Sequence, residues 1–136
     1  MMRTIFLDTS YLLVLIRKKD ARHGDALIAS TSHPGPFITT DLVLVEFANC
    51  LSTPPYRETA VAIIEKIRLD SNTKVVPFDS EGMGKALALY KERSDKAWGL
   101  VDCFSFVVMK ERRLKVALCF DEHFRQAGFE APLLAR

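Results

Sequence analysis

Residues 3–18 read Arg3-Thr4-Ile5-Phe6-Leu7-Asp8-Thr9-Ser10-Tyr11-Leu12-Leu13-Val14-Leu15-Ile16-Arg17-Lys18, and the change of character inside them decides the fold. The stretch from Arg3 to Leu7 is a short apolar run, rich enough in Ile and Phe to form a buried strand. Asp8-Thr9-Ser10 follows at once, with side-chain oxygens placed to cap a helix over residues 11–18. A strand that runs straight into a helix is the opening unit of a parallel α/β arrangement.

The remaining sequence repeats that alternation. Helical patterns cover residues 21–30, 41–51, 56–69, 79–92 and 101–112, with Ala86, Leu87 and Tyr90 recurring at helical spacing. Short apolar runs at residues 37–40, 74–77 and 116–120 read as strands, Asp121 opens a short helix ended by Gly128, and residues 131–134 read as a small fifth strand. The Pro/Ser/Gly-containing residues 30–36 and the pair Pro54-Pro55 read as loops. The expectation is one α/β domain over residues 1–136, a sandwich with a mostly parallel sheet of four to five strands covered by helices on both faces. In such sheets functional groups gather outside the carboxyl ends of the strands, where Asp8 and Asp121 fall.

With 136 residues, 49% of them hydrophobic, the chain can bury one sizeable core. Nineteen Lys and Arg against 17 Asp and Glu leave a formal charge of +2, too weak to mark a nucleic-acid or membrane surface by itself. Any RNA contact must then come from local patches such as Arg17-Lys18-Lys19 with Arg22, or Lys110, Arg112, Arg113 and Lys115. Cys50, Cys103 and Cys119 form no C-x-x-C pair and read as small core residues in a reducing, cytoplasmic protein. No apolar run approaches the length of a membrane span.

Two acids stand alone in apolar surroundings. Glu46 lies in Leu42-Val43-Leu44-Val45-Glu46-Phe47-Ala48, and Asp102 in Gly99-Leu100-Val101-Asp102-Cys103-Phe104. A carboxylate on a mostly buried helix needs pairing, hydrogen bonds or a metal. Taken singly, Asp8 and Asp121 are well placed as helix caps, and Glu46 and Asp102 as satisfied core acids. If all four converge, their repulsion calls for a hard divalent cation, Mg2+ or Mn2+ rather than zinc. Such a cation activates water and stabilises charge at an attacked phosphodiester, which is nuclease chemistry. His123 reads as a surface or partly packed imidazole, with a phosphate contact as its functional alternative; Asp95 reads as a solvated loop acid.

Phe6-Leu7-Asp8-Thr9-Ser10-Tyr11-Leu12-Leu13 resembles the opening motif of PIN domains. Thr40-Asp41-Leu42-Val43-Leu44-Val45-Glu46 resembles their second acidic motif, Trp98-Gly99-Leu100-Val101-Asp102-Cys103-Phe104-Ser105-Phe106 their third, and Phe120-Asp121-Glu122-His123-Phe124-Arg125-Gln126-Ala127-Gly128-Phe129 their fourth. Order and spacing are similar to the VapC-like toxin branch over nearly the whole chain. The resemblance implies a PIN-like three-layer fold and an endoribonuclease in which Asp8, Glu46, Asp102 and Asp121 hold Mg2+ or Mn2+. It also implies an RNA substrate, a small antitoxin partner and a homodimer. One departure is Cys119, two residues before Asp121, where the family often has Thr or Ser with a stronger hydrogen-bonding group. A phosphotransferase using Asp8 as nucleophile would need an acid where Ser10 stands, and a non-catalytic PIN-like binding module is the remaining alternative.

Overall fold

The computed structural model describes residues 3–135. The chain runs β1 (Ile5–Leu7), α1 (Thr9–Ile16), α2 (His23–Ser32), β2 (Phe37–Thr40), α3 (Asp41–Cys50), α4 (Tyr56–Leu69), β3 (Thr73–Val76), α5 (Ser80–Glu92), α6 (Leu100–Glu111), β4 (Val116–Leu118) and α7 (His123–Gln126). All strand pairs are parallel, in the order β3-β2-β1-β4, with Ile5 opposite both Phe37 and Val116. The chain first steps outward from β1 through β2 to β3, then returns past β1 to lay down β4. That reversal puts α5 and α6 on the face opposite the earlier helices and leaves a crevice above the ends of β1 and β4.

Local chemistry explains the starts of these elements. The Asp8 side chain accepts the Ser10 N–H and caps α1, Thr40 accepts the Val43 N–H and caps α3, and Asp79 accepts the Gly82 N–H and caps α5. The strands are buried in the middle of the sandwich, where Phe6, Ile38, Ala117 and Leu118 meet Tyr11, Val14, Val43 and Phe47 from one layer and Phe104, Phe106 and Met109 from the other. Burying each of the larger side chains contributes about 1.5–3 kcal/mol. Residues Cys103 to Phe106 are buried without interruption, so α6 is a core helix and its first turn carries Asp102 into the crevice.

Three expectations need correction. Residues 131–134 form turns rather than a fifth strand; Pro132 lacks the N–H that a ladder needs, and the only pairing there among the described residues is a bridge from Glu130 to Val116. The last helix is a single turn, His123–Gln126, because Asp121 and Glu122 form a bend before it. Cys50 is exposed at the end of α3 while Cys103 and Cys119 are buried, because α3 turns its last two residues towards solvent.

Candidate active site

Asp8 leaves the end of β1 with its backbone N–H donating to the Leu118 carbonyl at 3.1 Å, which fastens β1 to the end of β4. The side chain is 2% exposed. Its Oδ2 accepts the Ser10 hydroxyl at 2.6 Å and the Ser10 N–H at 3.2 Å. The same hydroxyl oxygen accepts the Phe120 N–H at 2.9 Å, so Ser10 ties the first acid to the loop that carries the last one. Burial, then the charge of Asp121 and more weakly that of Asp102, push the Asp8 carboxyl up to about 7 against the opposing Ser10 hydrogen bonds.

Asp102 sits in the first turn of α6, where its Oδ2 accepts the Gly99 N–H at 3.1 Å. That oxygen also meets His123 Nδ1 at 2.8 Å. Burial and the neighbouring Asp121 raise the Asp102 carboxyl above its ordinary range, opposed by the Gly99 and His123 contacts. Asp121 Oδ1 accepts the His123 N–H at 3.0 Å and lies 4.0 Å from His123 Nδ1. One carboxylate oxygen each from Asp102 and Asp121 and one imidazole nitrogen of His123 all lie within 4.8 Å of one another. Phe124, fully buried beside Phe6 and Phe106, anchors α7, and Trp98 Nε1 donates to Gln126 Oε1 at 2.9 Å to hold α7 beside the start of α6.

The structure therefore brings three of the four sequence-derived acids to one crevice. Glu46 is half-buried on α3, which packs against α1 and α6, and makes no hydrogen bond or ion pair with the other three among the described residues. His123, which reads from sequence as a surface or partly packed imidazole, is partly packed and belongs to the cluster. Its signal is the Asp121-x-His123 spacing: an Asp side chain that accepts the N–H two residues on curls the chain back upon itself. Asp95 is engaged by Arg93 at 3.0 Å and solvated, as expected. Ser10 occupies the place where a phosphotransferase of that type would need its acid, and its hydroxyl is committed to Asp8. Cys119 is buried and reaches the Asp121 carbonyl only at 3.8 Å, and burial with the charges of Asp8 and Asp121 drives its thiol well upward.

The two basic groups fall at opposite ends of the molecule. Arg22 lies 4.9 Å above the Phe120 ring, next to Asp121, and is held in place by a bidentate contact with Asp20 at 3.0 Å. The adjoining Arg17, Lys18 and Lys19 line an open cleft of about 610 Å³ together with Leu51 and Tyr56. Arg112 and Arg113, by contrast, follow the far end of α6, about 15 Å along the helix axis from Asp102.

The donor set fits a hard divalent cation. Each of Asp8, Asp102 and Asp121 commits one oxygen to protein hydrogen bonds and keeps the other free of protein partners among the described residues. Burial first, and the charge of neighbouring acids second, raise the Asp8 and Asp102 carboxyls, and a shared cation would offset both. No helix among the described residues is long and apolar enough to cross a membrane.

Residues 5–130 match the family model of the PIN domain. The chain is 32% identical over 125 residues to the 23S rRNA-specific endonuclease VapC20 of Mycobacterium tuberculosis, covering 92% of this chain and 95% of that protein. The crystal structure of VapC20, a sarcin-ricin loop cleaving toxin, superposes with a TM-score of 0.86 at 31% identity over 93% of this chain and 97% of the other. A toxin–antitoxin complex from Klebsiella pneumoniae shares the fold at 13% identity, with a TM-score of 0.65 over 98% of this chain and 97% of that one.

Proposed function

Because this chain belongs to the PIN-domain family, in its VapC-like branch, we propose that it is a divalent-metal-dependent endoribonuclease, the cytoplasmic toxin of a toxin–antitoxin pair. Its main support is the convergence of Asp8, Asp102 and Asp121 above the ends of β1 and β4, each with an oxygen free of protein partners among the described residues. These three carboxylates would hold Mg2+ or Mn2+. Bound there, the cation supplies a lowered pKa for water and a counter-charge for the phosphodiester under attack.

The protein's own groups do the rest. Ser10 fixes the Asp8 rotamer and joins it to the Phe120–Asp121 loop, so the two acids hold their spacing. Glu46, on the adjoining α3, is the fourth acid that the family resemblance implies, and would join the other three in holding the cation and activating the attacking water. Arg22 on Phe120 and the neighbouring Arg17, Lys18 and Lys19 place phosphates of the strand without reading its sequence. By similarity to VapC20, structured ribosomal RNA is the first substrate to test. The partners of this reading are an antitoxin and a second copy, and exposed apolar side chains such as Leu27 on α2, Val61 on α4 and Met83, Leu87 and Tyr90 on α5 offer surface for them.

The test combines the purified full chain, total ribosomal RNA and end-mapping of the products. Discrete cuts that need Mg2+ or Mn2+ and vanish in Asp102→Asn and Glu46→Gln are the expected outcome, together with growth arrest on expression that the antitoxin relieves. Intact RNA with a well-folded, metal-loaded chain would leave a binding module in its place.

A further inference from the structure

We propose that His123 is a direct nitrogen ligand of the cation held by Asp102 and Asp121, which tilts the centre towards Mn2+ over Mg2+. The inference rests on the metal-dependent reading of the same carboxylates and adds a donor that the four-acid scheme does not contain.

The spacing carries it. His123 Nδ1 lies 2.8 Å from Asp102 Oδ2 and 4.0 Å from Asp121 Oδ1. Around a six-coordinate cation with bonds of about 2.1 Å, adjacent ligand atoms lie about 3 Å apart and opposite ones about 4 Å. The imidazole thus stands at ligand separation from one oxygen of each acid, and a cation entering between them would take the place of its hydrogen bond to Asp102. It is also held there: Phe124 is fully buried against Phe6 and Phe106, and Gln126 accepts from Trp98 at 2.9 Å, so the single turn of α7 is braced on both sides of the ring. His123 keeps 30% of its side chain exposed, enough for a cation to reach it from the crevice.

The chemistry then separates two roles. As a hydrogen-bond donor to Asp102, the imidazole would orient that carboxylate and serve any cation equally. As a ligand it brings nitrogen into a shell otherwise made of oxygen. Imidazole suits transition metals, whereas Mg2+ takes carboxylate and water oxygen. A nitrogen donor therefore discriminates between two cations that an all-carboxylate site would treat alike.

The decisive measurement uses Mn2+ alone on the untagged full chain, with pulsed electron paramagnetic resonance reporting nitrogen coupled to the ion. The expected result is imidazole nitrogen coupling in the parent and in a His23→Gln control, absent in His123→Gln. Calorimetric titration should show Mn2+ affinity falling about tenfold to a hundredfold in His123→Gln, and Mg2+ affinity changing far less. Circular dichroism confirms that each variant is folded. Tight Mn2+ binding without nitrogen coupling, or coupling that survives in His123→Gln, overturns the inference and leaves the carboxylate centre standing. A parent chain that binds no Mn2+ at all overturns both.

Discussion

At the residue scale, the acids are legible in the sequence and their surroundings are not. Asp8 and Asp121 follow strands and Asp102 interrupts an apolar run, so each stands out. The imidazole does not, because only the bend at Asp121 and the buried Phe124 turn it inward. Burial gives Asp8 a measurable signature in stability. Its carboxyl ordinarily titrates at 3.8 and here at about 7, so its contribution is fully present below about pH 4 and is lost as pH rises through about 7. Cation-free protein should lose at most roughly 3 kcal/mol between pH 5 and pH 8 from this source, and Asp8→Asn should remove that part of the slope. Urea unfolding in chelator at the two pH values measures it, and an identical slope in the variant would contradict the assignment. Ser10 makes a second test. Ser10→Ala removes the hydroxyl that both donates to Asp8 and accepts from Phe120, and should destabilise by about 1–2 kcal/mol. RNA cleavage should fall by about tenfold or more, since small misplacement of reacting groups is expensive. Ser10→Thr, which keeps the hydroxyl, should restore most of both.

At the element scale, the helices and the four paired strands are readable from apolar spacing and capping residues, with ends shifted by one or two positions where the last turn frays into a loop. The extra strand expected at residues 131–134 does not form for a reason written in the sequence, Pro132, which apolar content masks. Helix α5 shows what spacing cannot disclose. Gly82 lies in its first turn and Gly84 just beyond it, and helix propensity alone says that alanine at either should stabilise by about 0.5–1 kcal/mol. A Cβ at Gly84 meets nothing within 4 Å, but at Gly82 it would stand 2.7 Å from Phe104 Cε1, on a ring buried in α6. Thermal melts should accordingly show Gly84→Ala stabilised by that amount and Gly82→Ala destabilised by about 1–3 kcal/mol. Because Phe104 lies two residues after Asp102, Gly82→Ala should also weaken Mn2+ binding while Gly84→Ala leaves it unchanged. Equal effects of the two alanines would mean that α5 does not set the position of α6.

At the scale of the whole molecule, the two basic clusters look equivalent in sequence, and only the topology ranks them. Arg22 stands beside the crevice on Phe120, whereas Arg112 and Arg113 follow the far end of α6. Replacing Arg17, Lys18 and Arg22 by Ala should weaken RNA binding and flatten its dependence on salt by about one unit of log–log slope for each phosphate no longer held. Replacing Arg112 and Arg113 should leave that slope alone; filter binding at several salt concentrations decides, and the reverse ranking would put the RNA on the opposite edge. The strand order has a further result. The central strand β1 and its neighbour β4 are far apart in sequence, so Asp8 is translated long before the Asp121 it meets. A nascent polypeptide that has not yet reached Asp121 carries no completed acidic cluster, and one terminated before that residue never acquires it. Vectorial synthesis thus delays assembly of the acidic cluster until its last member has been made.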